Sequence, residues 1–385
     1  MHQTLLTADA WQRILAFSAN KPTPCLILDL DLLREKYREL TTAFPYASVY
    51  YAVKANPDVA VLQCLNQLGA NFDIASVFEL DKLLALNIPA ERMSYGNTIK
   101  KARDIAYAYE QGIRLFASDC ESDIRKLAKF APGSRVYVRV LTEGSDTADW
   151  PLSRKFGCQR DMAIELILLA RDLGLKPWGI SFHVGSQQRD ISSWDAALAK
   201  VRFIFDQLAG EGVQLEMVNM GGGMPATYKS RRHDIDEYGA AISRFIEEDF
   251  GGSPPHIIIE PGRSLVAEAG VLVSEVVQIS TKSQDSHDRW VYLDVGLFGG
   301  LIEAVGEAIQ YPLAWEGCGE TLDEVILAGP TCDSMDILYE DHRYSLPVDL
   351  EEGDRLYWLS TGAYTTSYSS VEFNGIPPLK SYILE

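Results

Sequence analysis

The stretch VYYAVKAN, residues 49–56, decides how the rest of the chain is read. Its first five residues are β-branched, aromatic or small, the composition of a strand buried on both faces, and a single cation, Lys54, ends the run. Seven runs of the same kind follow: NFDIAS from Asn71, RMSYGN from Arg92, LFASD from Leu115, RVYVRV from Arg135, GISFHVGS from Gly179, EMVNMGGG from Glu216 and HIIIEPGR from His256. The eight starts lie 22, 21, 23, 20, 44, 37 and 40 residues apart. Most gaps carry apolar residues at helical spacing, as in VAVLQCLNQLG (59–69), VFELDKLLALN (77–87) and MAIELILLARDLG (162–174). Strand and helix in alternation build a parallel sheet. Eight consecutive units are the count of an α/β fold of the (β/α)8 TIM barrel type, and a doubly wound sheet rarely supplies so many at this spacing.

After about Gly270 the texture changes to strand-like runs with little helix between them: VLVSEVVQIS (271–280), RWVYLDVG (289–296), DEVILAGP (323–330) and RLYWLSTGAY (355–364). These predict a second, mainly β domain of sandwich or barrel type. The division expected is an N-terminal segment over 1–25 packing with the β domain, a barrel over 26–268 and the β domain over 269–385. A helix capped near Thr7 is expected in the first segment. The segment carries Asp9 and lacks a basic stretch before an apolar one, so it does not read as a signal peptide; no window approaches eighteen uncharged apolar residues, and the expected location is cytoplasmic.

The 385 residues suggest two to three folding units at roughly 150 residues each. A composition of 47% hydrophobic and 23% charged residues is that of a globular protein and excludes disordered, collagen-like and disulfide-framework classes. The net charge is −19, so nucleic acid and anionic membrane are not expected partners. Six widely spaced cysteines (Cys25, Cys64, Cys120, Cys158, Cys318 and Cys332) include no C-x-x-C pair, which points to reduced thiols and no metal site.

In such barrels the site is built at the C-terminal ends of the strands, so the last polar residues of each run carry the chemistry. They are Lys54, Asp73 with Ser76, Asn97, Ser118 with Asp119, Arg139, His183, Gly221 to Gly223, and Glu260 with Arg263. A lysine behind the apolar run YYAV is placed to be stripped of water and nucleophilic, the condition for bonding a carbonyl carbon. The glycines open backbone N–H groups to phosphate oxygens, and Arg263 adds charge-assisted bonds. A reactive lysine, a phosphate cradle and a carboxylate able to face a ring nitrogen together suggest pyridoxal 5'-phosphate. No G-x-x-x-x-G-K-[ST] loop is present, which disfavours a nucleoside triphosphate.

Taken in order, YAVKAN, NFDIAS, SYGNTIKK, KFG (155–157), SFHVGSQ, NMGGG, EPGRS, GPTCDSMD (329–336) and STGAYT (360–365) make the chain resemble the fold-type III, alanine racemase-like pyridoxal phosphate decarboxylases of ornithine, lysine and diaminopimelate, closest to the bacterial ornithine decarboxylases. The resemblance implies that Lys54 holds the cofactor covalently, His183 stacks on its ring and Glu260 pairs with the ring nitrogen. Gly221 to Gly223, Arg263 and Tyr364 would hold the phosphate, with Asp73, Ser76, Arg139 and Ser186 in support. It further implies a homodimer with shared sites, in which Cys332 protonates carbon and Asp333 receives the distal ammonium of a small basic amino acid from across the subunit boundary, and Lys155 of one chain pairs with Asp336 of the other. Glu303 and Glu307 are four residues apart, on one face if that stretch is helical, and either is a candidate second carboxylate for the substrate.

The expected reaction is decarboxylation of L-ornithine to putrescine and carbon dioxide. Lysine and arginine present the same distal cation at different reach and stand as alternatives. Diaminopimelate decarboxylases usually carry Glu after the cysteine, where this chain has Asp333. Alanine racemases need a tyrosine as second base and lack GPTCDS. A non-catalytic regulatory homologue is the reading from another class, and the presence of Lys54, Cys332 and Asp333 argues against it.

Overall fold

The computed structural model describes residues 5–142, 147–151, 154–229, 233–285, 287–317, 319–369 and 378–384. The chain divides into two compact units, one of 34–225 with 233–265, the other of 1–33 with 226–232 and 266–385.

In the first unit eight parallel strands close a barrel: β1 (Ala47–Ala52), β2 (Asn71–Ile74), β3 (Met93–Tyr95), β4 (Leu115–Ser118), β5 (Arg135–Arg139), β6 (Lys176–Ser181), β7 (Met217–Asn219) and β8 (His256–Ile259). All eight arise from the runs read in the sequence. Their interior is closed by Tyr50, Leu115, Ala117, Tyr137, Met217 and Ile258. Register brings the polar strand ends to one rim: Ala52 pairs with Asp73, Ile74 with Tyr95, Arg139 with Ser181, and Ser181 with Asn219, while Val49 pairs with Ile259 to close the ring. The longer intervals late in the barrel hold additions to the plain unit. Ala148–Trp150 pairs antiparallel with Ser186–Gln188, and the helix Ser192–Gly210 runs for 19 residues.

The second unit is built on an eight-stranded sheet. Six strands follow the order Leu313–Trp315, Arg355–Leu359, Gly270–Ser280, Arg289–Leu293, Leu322–Ala328 and Ile337–Pro347. Cys25–Asp29 pairs antiparallel with Gly270–Ser280 and parallel with Lys380–Leu384. The barrel unit therefore begins at Arg34 rather than at 26, and the segment Ala226–Arg232 also groups with the sheet. The first helix, Ala8–Ser18, is capped by Thr7, whose Oγ1 accepts the Ala10 N–H at 3.1 Å. It buries Trp11, Ile14, Leu15 and Ser18 on one face, and its apolar members pack with Ile27, Val271, Val273 and Tyr357. Trp11 meets the Tyr357 ring edge-on, with centroids 5.0 Å apart. Each such apolar side chain contributes roughly 2 kcal/mol by leaving water.

Among the described residues no helix is long and apolar enough to cross a membrane, and no cluster of His, Cys, Asp and Glu is arranged to hold a metal. Among the described residues Cys25, Cys64, Cys120, Cys158 and Cys332 form no disulfide, and Cys318 lies outside the described residues.

Candidate active site

Lys54 sits in a single 3-10 turn, Val53–Ala55, just past the end of β1. The turn is braced on both sides, since the Tyr51 hydroxyl donates to the Asn56 carbonyl at 3.0 Å and Asn56 Oδ1 accepts the Asp58 N–H at 3.0 Å. Those bonds explain why the motif needs its tyrosine and asparagine as well as its lysine. Lys54 itself is exposed in the single chain. Asp73, Glu79 and His183 all feel its field.

Asp73 is the next-to-last residue of β2 and is buried. Burial first, and then the Glu260 carboxylate, push its carboxyl well above the usual carboxylate range, while Lys54 and Arg139 pull the other way. Among the described residues Asp73 Oδ1 has no hydrogen-bond partner. Gly96, just beyond β3, makes room for it, because a Cβ there would overlap Oδ1 and stand 2.8 Å from Cγ. Arg139, at the end of β5, lies over the Phe156 ring at 5.1 Å, and burial lowers its pKa against the pull of Glu260. The loop supplying Phe156 is pinned by the Gly157 N–H, which donates to Asp119 Oδ2 at 2.9 Å, and Gly157 holds φ +89°. The KFG motif thus seats a guanidinium; its Lys155 is exposed.

His183 follows β6. Its Nδ1 accepts the Gly185 N–H at 3.0 Å, which leaves the ring proton on Nε2. Burial, then Arg139 and Lys54, hold its pKa well below the ordinary histidine value, so the ring is neutral. Behind it stands the glycine run. A Cβ at Gly222 would meet the Glu260 carbonyl oxygen at 2.6 Å, and one at Gly223 the Gly185 carbonyl oxygen at 2.6 Å. Gly221 and Gly223 also hold φ of +65° and +108°, conformations open to glycine at little cost. Arg263 is buried and donates from Nε to Ser186 Oγ at 3.1 Å. Glu260 accepts from Asn219 Nδ2 at 2.5 Å. A side-chain-free cradle beside a buried guanidinium, an unpartnered Asp73 oxygen, a neutral imidazole and an oriented carboxylate fit a phosphorylated heterocycle.

Ser76 also caps a helix. Its Oγ accepts the Glu79 N–H at 3.3 Å as the cap of the helix Val77–Ala85, while the Glu79 carboxylate accepts the Ala75 N–H at 2.6 Å. The pair is a capping box in all but one residue of register. Glu79 went unnamed in the sequence reading although S-x-x-E announced it. Asn219 and Gly96 were missed as well.

The remaining expected residues belong to the β unit. Cys332 and Asp333 are both exposed on the turn Gly329–Asp336, where Asp333 Oδ1 accepts the Met335 N–H at 2.8 Å. Asp336 anchors that turn from beneath. It is 3% exposed and accepts from Leu297 N at 2.8 Å, Thr331 N at 3.1 Å and Thr331 Oγ1 at 2.7 Å. These bonds come from its own chain, and a carboxylate has room to accept a further one, so the expected pairing with Lys155 of a second chain stands as a proposal. Glu303 and Glu307 do not share a helical face: the chain kinks between them, with ψ 128° at Val305 and φ 61° at Gly306. Glu303 is buried. Glu307 accepts the N–H groups of Glu340, Asp341 and His342 at 2.7–2.8 Å, bonds that hold its carboxyl below the usual range against the opposing effect of burial. That is an anchor for the strand Ile337–Pro347. Tyr364, at φ +61°, ends a turn fixed by Thr361 N–H to the Gly270 carbonyl at 3.0 Å.

The pyridoxal-binding domain of the pyridoxal-dependent decarboxylases is the family that matches residues 30–267. The chain belongs to that family. It is 34% identical over 365 residues to a lysine/ornithine decarboxylase of Selenomonas ruminantium, covering 94% of this chain and 90% of that protein. It is 32% identical over 375 residues to the ornithine decarboxylase of Saccharomyces cerevisiae, covering 91% and 78%. Its fold matches the lysine/ornithine decarboxylase of Vibrio vulnificus, solved with cadaverine, at a TM-score of 0.89 and 29% identity over 98% and 99% of the two chains. This decarboxylase therefore uses pyridoxal 5'-phosphate and acts on amino acids.

Proposed function

We propose that the enzyme decarboxylates L-ornithine to putrescine and carbon dioxide, with lysine as the nearest competitor. The observation that carries the reading is the turn Gly329–Asp336, which presents a thiol and a carboxylate side by side and exposed on a buried anchor. Asp333 matches the distal ammonium of a basic amino acid, and a substrate lacking that charge forfeits the pairing. The relatives' names, ornithine decarboxylase and lysine/ornithine decarboxylase, support the same substrate class.

Bound pyridoxal phosphate supplies a conjugated ring that accepts the electron pair left at Cα when carbon dioxide departs. Lys54 holds it by its amine. Gly221 to Gly223, Ser186 and Arg263, with Tyr364, hold the phosphate. Glu260 would pair with the ring nitrogen and favour its protonated form, and His183 would flank the ring as a neutral group that adds no second positive charge. Cys332 returns a proton to Cα, a task to which a thiol is suited. In the proposed homodimer Cys332 and Asp333 serve the partner's Lys54, and the arrangement does not depend on Asp336.

The test offers ornithine, lysine, arginine and diaminopimelate separately to the purified holoenzyme and identifies the amine and carbon dioxide released. Ornithine should give the highest kcat/KM. A preference for lysine or arginine overturns the substrate, and no release from any of the four by a protein that binds the cofactor overturns catalysis. Sharing is read by mixing inactive Lys54→Ala and Cys332→Ala chains. Random exchange should restore about a quarter of parental activity, since half the dimers are mixed and each keeps one intact site. No recovery despite exchange means that each site is built from one chain.

A further inference from the structure

We infer that Asn219 is a positioning residue for the cofactor's ring, acting through Glu260. The inference rests on the reading of Glu260 as the ring nitrogen's partner. Asn219 is the last residue of β7 and is 1% exposed. Its Oδ1 accepts the Gly221 N–H at 2.9 Å and its Nδ2 donates to Glu260 Oε1 at 2.5 Å. The Glu260 N–H donates in turn to the Gly221 carbonyl at 2.8 Å, so three hydrogen bonds close a ring through Asn219, Gly221 and Glu260.

That ring fixes the amide. Because Oδ1 is committed to an N–H donor, the Asn219 side chain cannot turn over, and Nδ2 must face Glu260. An amide nitrogen donates only, so the Glu260 oxygen that faces it serves as acceptor and the other oxygen is left for a protonated ring nitrogen. A glutamate has three side-chain torsions to fix, and holding them before the cofactor arrives removes an ordering cost from binding. The same residue thereby couples two parts of the cradle, the glycine run and the carboxylate.

A merely structural role would be confined to the Gly221 turn, and the two roles separate chemically. Asn219→Thr keeps a hydroxyl oxygen for the Gly221 N–H but loses the donor to Glu260. Asn219→Ser can also accept from Gly221 and is too short to reach Glu260. The measurement is the equilibrium affinity of the cofactor-free protein for pyridoxal phosphate and for its 1-deaza analogue, whose ring nitrogen is replaced by carbon. The parent should bind the natural cofactor at least about tenfold tighter than the analogue, the scale of a hydrogen bond to a charged group. In both variants that preference should collapse to within about twofold, with the analogue's affinity unchanged. Glu260→Ala should show the same collapse. Equal weakening of both ligands in the Asn219 variants, or retention of the parental preference, overturns the inference. If Glu260→Ala collapses the preference and the Asn219 variants do not, this inference alone fails; if Glu260→Ala keeps it, or the parent has none, the reading of Glu260 fails with it. A variant that does not fold, judged by circular dichroism, leaves the other to decide.

Discussion

Gly96→Ala tests how tightly the rim is packed around Asp73. The added Cβ would stand 2.8 Å from Asp73 Cγ and 3.0 Å from Oδ2, where ordinary van der Waals contact begins at 3.4 Å. Neither partner can yield cheaply. Asp73 is 5% exposed and cannot swing into water, and the Gly96 N–H is tied to the Ile74 carbonyl at 3.0 Å. The carboxyl must leave its rotamer or the end of β3 must shift, a strain of about 1–3 kcal/mol. Asp73→Ala should by itself be neutral or stabilising by about 1 kcal/mol, because it removes a buried carboxyl with an unpartnered oxygen, although the site loses the group. The double variant takes away what the alanine collides with, so most of the Gly96→Ala penalty should vanish, giving a coupling of about 1–3 kcal/mol. Urea unfolding of the four cofactor-free proteins, with midpoint and slope both recorded, completes the cycle. If Gly96→Ala costs less than about 0.5 kcal/mol, or the two changes add to within about 0.5 kcal/mol, the packing argument is refuted.

Glu307→Ala should cost about 0.5–1.5 kcal/mol in urea unfolding by handing three exposed backbone donors to water, yet leave the ratio of kcat/KM for ornithine and lysine within about twofold; a changed ratio would return Glu307 to the substrate site. Because His183 is held neutral, the unfolded chain takes up a proton below pH 6.5 that the folded chain refuses. The stability this group supplies is present above that pH and lost as pH falls through it, by about 1.4 kcal/mol at pH 5.5. His183→Asn should remove that share of the acid sensitivity between pH 7.5 and 5.5, and an unaltered slope would show that the imidazole is not buried neutral. Asp336→Asn should destabilise by about 1–3 kcal/mol, since it sets an amide donor against donors from Leu297 and Thr331, and should open the Cys332 turn to limited proteolysis; protection equal to the parent's would discount the anchor.

The barrel was legible because its strands are buried on both faces and read as unbroken apolar runs, with helical spacing between them. The polar residues that end those runs were legible for the same reason, and Lys54, Asp73, Arg139, His183 and Glu260 do share one rim. What misled was local resemblance. CLILD (25–29) has the composition of a barrel strand, and nothing within five residues says which sheet it will join. Glu303 and Glu307 have helical spacing, but Gly306 between them takes a positive φ that ends the helix. Asn219 and Gly96 were invisible because their work depends on partners 41 residues ahead and 23 residues behind in the chain, Glu260 and Asp73.

The strand Cys25–Asp29 finds its antiparallel neighbour in Gly270–Ser280 and its parallel one in Lys380–Leu384. On a ribosome adding roughly 5–20 residues per second, its second edge stays unpaired for roughly 20–70 s. For the last third of that interval, roughly 6–24 s at the same rate, the barrel unit, whose strands all lie between Ala47 and Ile259, has every strand partner already made. The early strand and the apolar face of the helix Ala8–Ser18 are then the surfaces most in need of a chaperone, and lesions in Trp11 or Ile14 should lower the yield of folded protein in cells more than they lower the activity of what survives.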